Sequence, residues 1–134
     1  ILCVGALAAF GYLHSLSHFL YTDLGTVLGF SATQHATPAN TLIGILSAII
    51  DNIPVMFAVL TMNPPMSEGQ WLLVTLTAGV GGSLLSIGSA AGVALMGQAK
   101  GVYTFMSHLK WSWAILLGYL ASIATHLVLN KDLF

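Results

Sequence analysis

The apolar run Thr41–Met62 carries Asp51-Asn52-Ile53-Pro54 at its centre, and this interruption constrains the fold more than any other feature of the sequence. Pro54 has no N–H, clashes with the carbonyl four residues back and disfavours helix at Ile53. Asp51 and Asn52 are residue types that cap helices and occupy turns. The run is therefore expected as two half-helices of ~15 Å each, broken at 51–54 and either in line or folded back as a re-entrant hairpin.

Charge content decides the solvent of such a run. Only 5% of the 134 residues are charged and 57% are hydrophobic, whereas a soluble domain carries about 25% charged residues. A chain this poor in charge has too few polar groups to cover a surface in water, so most of it must face lipid or other membrane helices. The expected class is an all-α membrane protein. A net charge of −1 and the absence of arginine exclude nucleic acid as a partner. Cys3, the single cysteine, sits in an apolar run and reads as a small buried residue.

Three further apolar stretches flank the broken run. Residues 1–20 are long enough for one transmembrane helix across a core of ~30 Å. They begin inside apolar sequence with no basic leader, as a fragment opening within a transmembrane helix would. Tyr21 to Asn40 is mixed, with Asp23, His35 and Pro38, and reads as loop with a short interfacial turn. Residues 71–98 are expected as an interrupted transmembrane helix, because Gly79, Gly81, Gly82, Ser83, Ser86, Gly88, Ser89 and Gly92 crowd its middle. Unwound backbone at membrane depth is tolerated only where protein buries it or where it lines a polar cavity. Residues 111–130 read as a plain transmembrane helix, with Trp111 and Trp113 as interfacial anchors. If 41–62 re-enters, Lys100 and Lys110 fall together on the face that the positive-inside rule makes cytoplasmic, while Lys131 votes the other way.

Two interrupted membrane segments in one short chain point to an ion or substrate site of a secondary transporter. Asp51 is the acidic residue in the middle of an apolar run; Asp23, Glu68 and Asp132 lie in or beside loops. A carboxylate at the bilayer centre costs several kcal/mol unless it meets a cation, a proton or hydrogen-bond donors. Competition between Na⁺ and H⁺ for one carboxylate is the minimal chemistry of an antiporter. The bland alternative is a structural cap whose carboxylate accepts from the N–H groups of the following half-helix.

Hard cations prefer oxygen ligands. Ser47 lies one helical turn before Asp51, Asn52 is adjacent, and Ser83, Ser86 and Ser89 mark the second interruption at intervals of three, where freed carbonyls offer further ligands. Na⁺ is placed at Asp51 and Asn52, with Pro54, Gly82 and Gly88 forming the breaks. For the serines, helix packing stands beside ligation as an equal reading, and Gly88-xxx-Gly92 is a small-xxx-small pattern that lets helices approach closely. His14 and His18 have a metal-compatible spacing, but nothing nearby completes a site except Asp23, so polar packing or pH sensing is the better reading. His35, His108 and His126 sit near predicted interfaces, and Met56, Phe57, Met62 and Tyr119 read as membrane packing.

The segment Ser47-Ala48-Ile49-Ile50-Asp51-Asn52-Ile53-Pro54-Val55-Met56-Phe57-Ala58-Val59-Leu60 resembles the signature of NhaD-type sodium/proton antiporters, members of the wider ion transporter superfamily. Gly81 to Gly92 resembles the broken helix that follows the hairpin in that superfamily, and the likeness continues through Tyr103-Thr104-Phe105 and His108-Leu109-Lys110-Trp111. The resemblance implies a C-terminal piece of a fold of two inverted repeats, each with a re-entrant hairpin and an interrupted helix. It implies exchange of Na⁺ (and Li⁺) for H⁺ across the bacterial inner membrane by a multi-pass protein, with no cofactor beyond the transported ions. The partners implied are the lipid bilayer and the remaining N-terminal part of the transporter, with a homodimer left open. Transport of an organic or inorganic anion on the same fold is the alternative, although no Arg or Lys lies at membrane depth to receive one. A membrane-embedded enzyme lacks a second intramembrane acid or paired nucleophile. A purely structural subunit would be indifferent to neutralising Asp51.

Overall fold

The computed structural model describes residues 2–29 and 34–134. Among these the chain is helical throughout, with no strand. Its helices are α1 (Leu2–Ala9), α2 (Tyr12–His18), α3 (Leu24–Val27), α4 (Ala36–Leu46), α5 (Asn52–Met62), α6 (Glu68–Gly81), α7 (Ala90–Gln98), α8 (Phe105–Leu109) and α9 (Ser112–Leu129).

The first apolar stretch, expected as one spanning helix over 1–20, is bent. Leu2–Ala9 and Tyr12–Val27 meet at 79°. Gly11 has a φ of 79°, a left-handed conformation through which an α-helix cannot propagate. Beyond the bend, helix continues past residue 20 through a π-helical turn, Phe19–Asp23, into α3. The loop expected over 21–40 is therefore largely helical among the described residues, and α4 starts five residues ahead of Thr41. Pro38 is its third residue, a position where the missing N–H has no intrahelical acceptor to lose.

The ends of the next helices follow from local chemistry. α4 stops at Leu46, and a tightened turn over 47–50 leads to Asp51 at the N-cap of α5. Pro54 is the third residue of α5, so it opens the second half-helix, again where no N–H is needed. α5 ends at Asn63 in the left-handed conformation (φ 43°), and Pro64-Pro65 prevents continuation. Ser67 caps α6, its Oγ accepting from the Gln70 N–H at 3.4 Å, with Glu68 in the first turn facing the helix dipole. α6 runs out at Gly81–Gly82. After it, Ser86–Gly88 forms a single 3₁₀ turn between extended Leu85 and Ser89.

Two apolar clusters hold these pieces together. Tyr21, Ala36, Ala39, Ile43, Val55, Val59 and Val74 join α4, α5 and α6 to the first segment. Ala48, Leu73, Leu84, Tyr119 and Ile123 join the turn after α4, α6 and the loop beyond it to α9. Outside these clusters the surface is apolar: Leu2, Phe10, Val27, Ile53, Leu60, Val102, Trp111 and Leu129 are all more than half exposed. Of the 18 residues of α9, the helix long and apolar enough to cross a bilayer, only Tyr119 and Ile123 are buried. An exterior this apolar suits lipid or neighbouring membrane helices and no aqueous surface.

Candidate cation site

α4 and α6 run parallel, in contact along their length, and end at the same level. The seam is built from small and polar residues. On α4 these are Thr37, Asn40 and Gly44, with Ser47 as its C-cap; on α6 they are Gln70, Thr77, Ala78 and Gly81. The Asn40 amide donates to the Gln70 side-chain oxygen at 2.9 Å and to the Gln70 carbonyl at 3.1 Å. Gln70 Nε2 in turn donates to Thr37 Oγ1 at 2.8 Å, and the Tyr21 hydroxyl donates to Asn40 Oδ1 at 3.2 Å. Thr77 Oγ1 donates to the Asn40 carbonyl at 2.8 Å, and the Tyr119 hydroxyl donates to the Thr41 carbonyl at 2.7 Å. Gly44 and Gly81 meet backbone to backbone: a Cβ on Gly81 would fall on the Gly44 carbonyl. Buried side-chain polar atoms are all paired among the described residues, as polar groups away from water require.

At the far end of this seam the two helix breaks touch. Ser47 is fully buried, and its Oγ donates to the Ala78 carbonyl at 2.8 Å. The same oxygen lies 3.4 Å from where a Cβ on Gly82 would be. Gly88, in the 3₁₀ turn, sits against the Ser47 and Ala48 carbonyls so closely that a Cβ there would overlap both. Ser47, Gly82 and Gly88 are thus brought together. Gly88 and Gly92 do not form the helix-packing pair expected from their spacing. Extended Ser89 separates them, and Gly92 in the first turn of α7 lies against the Ser86 carbonyl instead.

Asp51 follows the turn, half-exposed, with φ −48° and ψ 140°. Its side chain makes no capping hydrogen bond to α5 and no ion pair among the described residues. The carboxylate is left out of the capping role that is the bland reading of an acid at a helix break. Asn52 lines an open recess between α5 and α6 with Ile53, Met56, Phe57, Thr75 and Gly79. The C-terminal ends of α4 and α6, where helix dipoles concentrate partial negative charge, converge on the same region. The residues around these two helix ends include a carboxylate, hydroxyls, an amide and backbone carbonyls, the oxygen types a hard cation prefers.

The three serines of the second break take separate tasks. Ser86 is buried and its hydroxyl donates to Met96 Sδ at 3.4 Å. Ser89 caps α7, accepting from the Gly92 N–H at 3.5 Å. The Ser83 side chain is exposed, and its carbonyl, together with that of Leu84, is already taken by His108 Nε2 (3.0 Å) and Ser112 Oγ (2.7 Å). Of the other histidines, His126 Nε2 pairs with the Gly69 carbonyl at 2.9 Å. His14, His18 and His35 line a cavity of about 410 Å³ at the opposite end of the α4–α6 seam, beside Tyr21 and Gln70. His18 Nδ1 lies 3.5 Å from Asp23 Oδ2, and no group of three metal-ligand side chains occurs among the described residues.

Over its whole length the chain is 63% identical to the Na⁺/H⁺ antiporter NhaD of Alkalimonas amylolytica and 60% identical to that of Vibrio cholerae. The chain belongs to the NhaD family. It spans about a quarter of the length of these curated relatives, 26% of each. A more distant likeness, 37% over 135 residues, links it to sodium/proton antiporter 1 of Arabidopsis thaliana, of which it covers 22%. No family model matches the chain, and no solved structure matches it.

Within this NhaD segment the Asn40–Gln70–Thr37 network was not anticipated from sequence. The signal was present as two stripes, Thr37, Asn40, Gly44 and Ser47 on one helix and Gln70, Thr77 and Gly81 on the other. Each keeps one helical face polar or small. The assignment of 21–40 to a loop hid the first stripe, because α4 begins inside it.

Proposed function

We propose that the full-length protein exchanges Na⁺ (and Li⁺) for H⁺ across a bacterial inner membrane as a multi-pass antiporter, with Asp51 binding cation and proton in turn. One observation carries this reading: the two helix breaks meet, Gly88 against the Ser47 and Ala48 carbonyls, beside an acid whose carboxylate caps nothing. Ser47 and Asn52 are the companion ligands on one side. On the other, Ser86 and Ser89 keep hydroxyl lone pairs available beyond the hydrogen bonds described above, and Ser83 adds an exposed hydroxyl. The names of the relatives, which are those of sodium/proton antiporters, support the cargo and do not favour an anion.

In this reading α4 and α5 form a re-entrant hairpin whose tip, expected at 51–54, moves back to the turn over 47–51, because Asn52, Ile53 and Pro54 already form the first turn of α5. The return of Met66, just past α5, to Asn40 near the start of α4 supports it, their Sδ and Nδ2 atoms lying 3.6 Å apart. The rest of the transporter supplies the second, inverted repeat and the other half of the site. The test uses the full-length parent in inverted vesicles, with acridine-orange dequenching recorded on addition of Na⁺, Li⁺ or K⁺. Dequenching by Na⁺ or Li⁺ is expected in wild type and absent in Asp51→Asn. Normal exchange in that variant sinks the role of Asp51. Anion uptake indifferent to Na⁺ sinks the choice of cargo.

A further inference from the structure

Where α6 unwinds, the carbonyls of Ser83 and Leu84 leave the helical ladder inside a chain whose surroundings are apolar. Such groups must find donors within the protein. Two side chains one helical turn apart supply them from the corner between α8 and α9. His108 Nε2 lies 3.0 Å from the Ser83 carbonyl oxygen, and Ser112 Oγ lies 2.7 Å from that of Leu84.

A carbonyl oxygen can only accept, so His108 carries an N–H at Nε2, and in the neutral ring Nδ1 accepts from the Tyr103 hydroxyl that lies against it. The Tyr103 ring stands edge-on to the imidazole, with centroids 5.8 Å apart. The capping box of Thr104 and Ser107 fixes the start of α8 and so the height of His108. Tautomer and ring orientation are both set by the partner on the second nitrogen, the arrangement by which outer groups orient the ligands of an ion site.

We infer that His108 is a positioning residue for the cation site: with Ser112 it clamps the Ser83–Leu84 backbone, turns those two carbonyls away from the ion, and holds the loop so that Gly88 stays seated on the Ser47–Ala48 turn. The clamp needs an N–H donor at the Nε2 position and no charge. It rests on the proposed cation site, whose loop it holds.

The test measures Na⁺-driven exchange by the full-length parent in inverted vesicles, with the apparent KM for Na⁺ separated from the maximal response. The variants are His108→Leu, His108→Gln, Ser112→Ala and Asp51→Asn. Loss of the hydrogen bond from His108 to the Ser83 carbonyl raises the KM about three- to tenfold in His108→Leu. Glutamine, which keeps an N–H donor at a similar reach, brings it back to within about twofold of wild type on the same scale. Misfolding alone lowers the maximal response through the number of active molecules and leaves the KM where it was. An unchanged KM in His108→Leu overturns the inference, and so does an equal rise in both His108 variants. If His108→Leu does not reach the membrane, Ser112→Ala decides, with a raised KM supporting the clamp and an unchanged one overturning it. Failure of the underlying site shows separately, as normal exchange by Asp51→Asn.

Discussion

Replacing Gly81 by Ala tests the seam on which the proposed site rests. The added methyl would land on the Gly44 carbonyl and 3.0 Å from the Gly44 Cα, where ordinary contacts begin at 3.4 Å. Both obstacles are helix backbone, so no side chain can rotate out of the way, and α4 and α6 must part. A separation of order 1 Å would break the Ser47 Oγ–Ala78 and Thr77 Oγ1–Asn40 bonds, each now 2.8 Å. Overpacking costs about 1–3 kcal/mol and each lost hydrogen bond about 1, while Ala regains up to about 1 in helix propensity. The balance is a destabilisation of about 2–4 kcal/mol by those same magnitudes. The control is Gly79→Ala, two residues away on the same helix, where a Cβ meets nothing within 4 Å. Thermal unfolding of the full-length protein in detergent, followed by size-exclusion chromatography, should place the Gly81→Ala midpoint several degrees below wild type. Gly79→Ala should match or exceed wild type. Equal midpoints for the two variants would refute the close crossing of α4 and α6.

Other expectations follow from the same geometry. Asn40→Leu takes a donor from Gln70 and an acceptor from Tyr21, and should cost about 1–3 kcal/mol in the same unfolding assay; a wild-type midpoint would show that the network contributes nothing. Tyr21→Phe removes only the outer hydroxyl of that network and should cost no more than about 1 kcal/mol, so a larger loss than in Asn40→Leu would count against Asn40 as its centre. Ser89→Ala removes the N-cap of α7 for about 0.5–1 kcal/mol, and amide exchange at Gly92 should quicken several-fold while that at Gly69 does not change. Unaltered exchange at Gly92 would remove Ser89 from that role.

The all-helical membrane class could be read directly from residue type, because a chain with 5% charged residues has no way to solvate a surface. Local chemistry also limited where helices start and stop. Pro54 can stand only in the first turn of α5, and Pro64-Pro65 can only follow its end. Gly11 shows where such reading falls short. Glycine is compatible with an uninterrupted membrane helix, and only packing of α1 and α2 against α5 decides that it takes the left-handed turn.

What remained illegible was each contact between remote residues. His108 looked like a bland interfacial side chain until the chain brought it to a carbonyl 25 residues away. Asn40 looked like the end of a loop until α6 placed Gln70 beside it. Hydropathy and propensity report on neighbours along the chain. A freed carbonyl or a buried amide must be satisfied by whatever donor the topology delivers, and only the tertiary structure decides which residue that is.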